Sequence, residues 1–365
     1  MANNKYTNIA FFISPHGFGH AARACAVINA IQNIDPTIFV HIFSSIPKWF
    51  IEESFVKNYQ YHYFITDIGL IQNDPFIENI DKTIEALDSF IPFTNSEVDG
   101  ICQYLKKIEC RLLLCDISPL GIFLSKNTSI NSVLIENFTW DWIYEPFIKD
   151  YPKLKNHSKY LNELFGQQKY HVQTEPVCHK IQNSDLITGP VSRTPRTSRL
   201  EIRRQLNISN QKKMILITMG GIKSKTRIPK EVTNDINIQY VIPGNYLKEE
   251  SYDNVLLLPH HSNFYHPDLV NASDAIIAKV GYSTIAESYH AGLPIGYISR
   301  PRFRESMILE SFVTKEMDGT KIEHLNNELR INQLNISQLL ETKISRLTRH
   351  NGAEQIANFV LGRLC

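Results

Sequence analysis

The residues best able to do chemistry sit in one short run, SPHGFGHAAR, from Ser14 to Arg23. His16 and His20 flank two glycines, Gly17 and Gly19, and Arg23 follows three positions after the second imidazole. Imidazole is the side chain whose ordinary pKa, about 6.5, best suits taking a proton near neutrality. His20 is therefore the candidate general base, the plain alternative being a turn histidine that caps the helix behind it. His16 is a candidate contact for an acceptor or an anion, or a turn histidine. Arg23 either binds an anion or covers the helix surface. A base of this kind needs an orienting carboxylate. Asp116 is the candidate: it ends the apolar run Leu112–Cys115 and precedes Ile117, Ser118 and Pro119. Its alternative role is to cap the next helix.

Other polar groups recur after apolar runs in the second half. Gly220 and Gly221 follow Met214–Met219, with Lys223, Lys225 and Arg227 nearby. Gly281, Ser283, Thr284 and Glu287 follow Ala275–Ala278. Thr284 and Glu287 have the spacing of a capping box, which alone would account for both. His260, His261 and His266 cluster after Leu258, but without an H-E-x-x-H pattern or a cysteine pair, so no metal is expected. The stretch Phe138 to Tyr144 carries Trp140 and Trp142. These could line an acceptor site, since aromatic faces pack on sugars and apolar groups, or simply fill a core.

The elements that must position these groups alternate in kind. Ile9–Ile13 reads as a strand, Ala21–Ile31 as a helix and Phe39–Phe43 as a strand. Residues 79–108 have helical periodicity broken at Pro92, and Leu112–Cys115 and Ser132–Ile135 are short strands. After the proline- and serine-rich Gly189–Arg199 the pattern restarts. Strands are expected at Met214–Met219, Tyr240–Ile242, Val255–Leu258, Ala275–Ala278 and Ile295–Ile298. Helices are expected at Ser283–Ala291, Ile336–Thr348 and Asn351–Leu364. Alternation of this kind predicts an α/β fold with parallel sheets covered by helices. Two Rossmann-like domains follow: residues 1–190, a linker at 191–199, and residues 200–348. In such sheets ligands bind beyond the carboxyl ends of the strands, where His20 and Asp116 both fall. Gly17 and Gly19 there allow a tight turn and close approach by a ligand.

Composition excludes several classes. Lysine and arginine number 38 against 37 acids, which gives no basic footprint for nucleic acid. The six cysteines include no CxxC pair and read as reduced thiols of a cytoplasmic protein. No apolar run nears the ~18 residues of a membrane span, although peripheral contact stays compatible. With Ala22, Gly17 and Gly19 meet a loose dinucleotide pattern, but Phe43-Ser44-Ser45 supplies no acid at the second strand end, so a nicotinamide cofactor is not expected.

Four stretches carry a family likeness: HGFGHAAR from His16, DISP from Asp116, NFTWDWIY from Asn137 and KVGYSTIAE from Lys279. Together they resemble GT-B nucleotide-sugar enzymes, above all the glycosyltransferase-like N-terminal domain of arabinokinases. More distantly they resemble the peptidoglycan N-acetylglucosaminyltransferase and a nucleotide-sugar hydrolase of pseudaminic acid synthesis. The resemblance implies two Rossmann-like domains facing across a cleft, with the terminal helix (349–365) packing back on the first. It implies a base at His20 oriented by Asp116, and donor contacts at Gly17, Gly19, Gly220 and Gly221. It further implies that Gly281, Ser283 and Thr284 bind a diphosphate, that Glu287 accepts ribose hydroxyls and that Glu305 contacts the donor sugar. The sequence carries no kinase module, so no role that depends on one is expected.

The resulting expectation is an inverting, metal-independent glycosyltransferase without a cofactor. Its co-substrate would be a nucleotide diphosphate-sugar, with UDP-sugar the foremost choice, and its acceptor a small-molecule, glycan or lipid-linked hydroxyl or amine. The alternatives are a nucleotide-sugar hydrolase or epimerase on the same fold, and a non-catalytic nucleotide-sugar-binding protein.

Overall fold

The computed structural model describes residues 6–54, 56–74, 76–220, 228–246, 248–325, 328–342 and 350–364. The chain forms two compact units. The first comprises Met1–Asn73, Glu78–Val191 and His350–Cys365, and the second Asp74–Ile77 and Ser192–Arg349.

In the first unit seven strands form one parallel sheet. Their spatial order is Tyr59–Tyr63, Ile38–Ser44, Thr7–Ile13, Leu113–Asp116, Ser132–Glu136, Tyr170–Thr174 and Leu186–Thr188. The central strands read as apolar runs because helices cover both faces of a parallel sheet. Phe11, Phe12, Leu113, Leu114 and Val133 are wholly buried. Three strands have no such run. Tyr59–Tyr63 (YQYHY) lies at the sheet edge and is half exposed, so its sequence lacks the aliphatic signature. Tyr170–Thr174 and Leu186–Thr188 occupy the other margin and are polar and short. The periodic stretch broken at Pro92 forms two helices, Ile80–Phe90 and Asn95–Lys107. The C-terminal helix Gly352–Leu361 packs on the first helix, Phe18–Ile34. The Gly352 amide there donates to the Pro190 carbonyl at 3.0 Å.

The second unit repeats the plan. Its seven-stranded sheet runs Glu250–Tyr252, Val255–Pro259, Ile238–Tyr246, Lys213–Thr218, Ala275–Lys279, Ile295–Ile298 and Thr320–Lys321, parallel except for its first strand. The segment expected as a linker, 191–199, carries hydrogen bonds of its own. The Arg196 and Thr197 amides donate to Asp268 at 2.6 and 3.1 Å, and Ser198 caps a helix that starts at Arg199. The helix expected over Ile336–Thr348 spans Gln333–Glu341, and residues 343–348 lie outside the described set. Among the described residues no helix is long and apolar enough to cross a membrane.

Candidate active site

The first strand ends at Ile13, directly opposite Asp116 in the parallel ladder. A short loop then turns at Gly17, whose φ of 70° is costly for any residue with a Cβ. Gly17 is the N-cap of helix Phe18–Ile34, and Gly19 and His20 lie in its first turn. No side chain caps this helix, so His20 is not a capping residue. Its Nδ1 instead lies 2.8 Å from Asp116 Oδ1, with both residues buried. Asp116 does not cap the next helix either. Ser118 does, accepting from the Gly121 amide, with Pro119 at the first helical position. Between them Ile117 has a φ of 39°, a conformation that costs a β-branched residue roughly 1–3 kcal/mol. That strained residue directly follows the carboxylate.

Arg23 departs from both of its expected roles. It is about 1% exposed and so covers no surface. One helical turn beyond His20, its guanidinium forks onto Asp116, with Nε donating to Oδ2 at 2.7 Å and Nη2 to Oδ1 at 2.8 Å. Nη1 donates to Asn137 Oδ1 at 2.7 Å. The cation is thus turned toward an internal carboxylate and not toward a ligand anion. Burial by itself would raise the Asp116 carboxyl, but the Arg23 charge and hydrogen bonds from Arg23 and His20 hold it below the usual carboxylate range. An ionised carboxylate only accepts and a guanidinium only donates. Arg23 Nη2 approaches His20 Nδ1 at 3.3 Å, but Asp116 is nearer. In that pair Nδ1 is therefore the donor and Asp116 the acceptor, and Nε2 is the ring nitrogen outside it.

In the second unit the strand Ala275–Lys279 leads to Gly281, the N-cap of helix Tyr282–Ala291. The capping-box expectation is corrected here. Thr284 lies inside the first turn and Glu287 further along, so the two cannot form the box. Ser283 and Thr284 do sit where a helix has backbone N–H groups without acceptors in the helix itself. Gly220 follows the neighbouring strand Lys213–Thr218, and Lys279 Nζ would lie 3.7 Å from a Cβ placed on it. Gly221 lies outside the described residues, as do Lys223, Lys225 and Arg227. Glu287 is buried, and its two oxygens face Arg193 Nε at 3.1 Å and His266 Nδ1 at 2.7 Å. Burial would raise its pKa, but those two partners hold it below the ordinary value. Glu305 starts helix Glu305–Met317 and is also buried, about 5% exposed.

No protein-family model matches the chain. It is 24% identical over 343 residues to an L-arabinokinase of Arabidopsis thaliana, a match that covers 91% of this chain and 32% of the relative. The chain thus spans about a third of that relative's length. Among solved structures, the glycosyltransferase of kitacinnamycin superposes with a TM-score of 0.66 at 13% identity, over 99% of this chain and 100% of the other. Arabidopsis thaliana UGT89C1 complexed with UDP-L-rhamnose gives a TM-score of 0.63 at 10% identity, over 99% and 100%. The chain has the GT-B glycosyltransferase fold.

On this GT-B frame several site residues escape a reading of the sequence. Asp67 is the foremost. It is buried and accepts from Ser14 Oγ at 2.6 Å, from the Ile68 amide at 2.8 Å and from the indole N–H of Trp140. Burial pushes its carboxyl up to about 6, against the opposing effect of those bonds and of His20. The stretch Thr66–Gly69 lies in no helix or strand, so no periodic signal marked it. Trp140 is wholly buried, which corrects its expected place as an acceptor platform. Its ring packs 4.9 Å from His16 and 6.3 Å from His20. Trp142 is half-buried, and His16 Nδ1 accepts from the Leu70 amide at 3.3 Å. Lys279 was legible directly after the apolar run Ala275–Ala278, had a cation been sought beside Gly220. Among the described residues no three His, Cys, Asp or Glu side chains gather as a metal site.

Proposed function

We propose that the chain is an inverting, metal-independent glycosyltransferase that uses a nucleotide diphosphate-sugar, with His20 as base and Asp116 as its orienting partner. The observation that carries this reading is the buried chain His20 Nδ1–Asp116–Arg23, which fixes one imidazole tautomer at the carboxyl end of the first unit's central strands. The acceptor's O–H or N–H proton passes to His20 Nε2. The acceptor atom forms a bond to the anomeric carbon as the bond to the diphosphate oxygen breaks. Attack opposite the leaving group inverts the centre.

The departing diphosphate needs positive potential. The start of helix Tyr282–Ala291, the turn at Gly220 and the ammonium of Lys279 supply it. Each such element is worth roughly 3 kcal/mol of barrier. A UDP-sugar is the donor of choice, because UGT89C1 matches the fold in complex with UDP-L-rhamnose.

A thermal-shift panel of uridine, guanosine, thymidine and cytidine diphosphate-sugars tests the donor, since a ligand that binds the native state raises its melting temperature. A clear shift with one uridine diphosphate-sugar is expected. The anomeric configuration of the product, followed by proton NMR at early times, should be opposite to that of the donor. Retention, or free sugar formed at full rate without acceptor, would overturn the assignment.

A further inference from the structure

We propose that Asp67 is a second positioning carboxylate of the His20 site, acting through Ser14 and Trp140 and not on the imidazole directly. The inference rests on the reading of His20 as the base. Three pieces of chain converge on this residue. Ser14 opens the loop that delivers His20, and its hydroxyl donates to Asp67 at 2.6 Å. Trp140 opens the short helix Trp140–Tyr144, and its indole N–H donates to the same carboxylate oxygen. Asp67 itself is tied down through the Ile68 amide.

The cage then closes on itself. Trp140 stacks with Tyr144 at 6.0 Å and 24°, and the Tyr144 hydroxyl donates to the Gly69 carbonyl at 2.7 Å. Gly69 makes room for His16, which a Cβ there would meet at 2.8 Å, and its φ of 66° also favours glycine. His16 meets the edge of Trp140 at 79°. Trp140 and Phe138 thus both pack against His20, at 6.3 Å and 55° and at 5.9 Å and 82°. Asp116 holds the ring at Nδ1. The imidazole has two degrees of freedom to fix, its tautomer and its rotation. Asp116 fixes the first, and the packing anchored on Asp67 fixes the second. Asp67 is about 3% exposed and already accepts three hydrogen bonds, so it does not touch substrate. The ionisable side chains that face it are His20 from the first helix and Tyr144 from the aromatic one.

The test reads His20 directly and needs no substrate. The full chain is labelled with nitrogen-15 histidine, and long-range proton–nitrogen spectra are recorded at pH 7.5, with His20 assigned through His20→Gln. The native protein should show one sharp His20 pattern, with Nδ1 protonated and Nε2 bare. Asp67→Asn keeps the shape and loses the charge; its melting transition should remain cooperative while the sharp Nδ1–H signal is lost to averaging. If Asp67→Asn does not fold, Ser14→Ala removes only one contact and carries the test, with the same loss expected. Unchanged His20 signals in either folded variant would overturn the proposal. A chain that transferred no sugar would count against the proposed function and leave this outcome for Asp67 standing.

Discussion

The two buried carboxylates near His20 differ in sign, and pH separates them. Asp116 is held below its ordinary pKa, so its ionised form stabilises the fold. That contribution is present at neutral pH and fades as pH falls through the lowered folded value. Asp67 is raised from 3.8 to about 6, so the folded state binds its proton more tightly than the unfolded chain does. Its effect runs the other way: stability falls as pH rises from about 4 to about 7. A shift of this size corresponds to about 3 kcal/mol. Urea titrations of wild type and Asp67→Asn should therefore diverge over that window, with wild type losing stability relative to the variant; parallel curves would contradict this. At Asp116 an amide can no longer hold the Nδ1–H tautomer firmly. Asp116→Asn should lower kcat by about 10^3–10^4-fold with a smaller change in donor KM, read from steady-state kinetics. His20 and Asp116 were legible because each follows a local apolar run. The role of Arg23 was not, because it depends on strand register, which sets Ile13 against Asp116. Asp67 was hidden because it lies in a loop without a periodic pattern and its partners lie 53 and 73 positions away in sequence.

At the scale of elements, apolar runs and glycine turns marked the central strands and the helices that follow them. Edge strands such as Tyr59–Tyr63 escaped because one exposed side removes the aliphatic pattern. The capping-box spacing at Thr284 misled because Gly281 already starts the helix. The terminal helix was visible from its apolar stripe, and its packing explains that stripe. Ile356, Ala357 and Val360 are wholly buried in the first unit, where the helix lies on Phe18–Ile34, the helix that carries His20 and Arg23. Ile356→Ala should cost about 2–5 kcal/mol, measured by urea denaturation, since it leaves a cavity at a fully buried site. A loss below about 1 kcal/mol would show that the helix is peripheral to that unit.

For the whole molecule, the sequence announced its architecture by repeating itself in kind. Strand–turn–helix runs in each half implied two parallel sheets, and each unit has its own seven-stranded sheet. The division of chemistry follows: the first unit holds an imidazole paired to a carboxylate, and the second gathers a helix start, a glycine turn and a lysine. What the sequence withheld was the state of the second unit's carboxylate, because Arg193 and His266 reach Glu287 only in the folded chain. The most direct measurement compares wild type with His20→Ala in single-turnover release of nucleoside diphosphate, at equal donor occupancy set by thermal shift. Donor binding should be retained and the rate should fall by at least about 100-fold. A variant that turns over at the wild-type rate, or one that loses donor binding while sparing turnover, would contradict the assignment of His20.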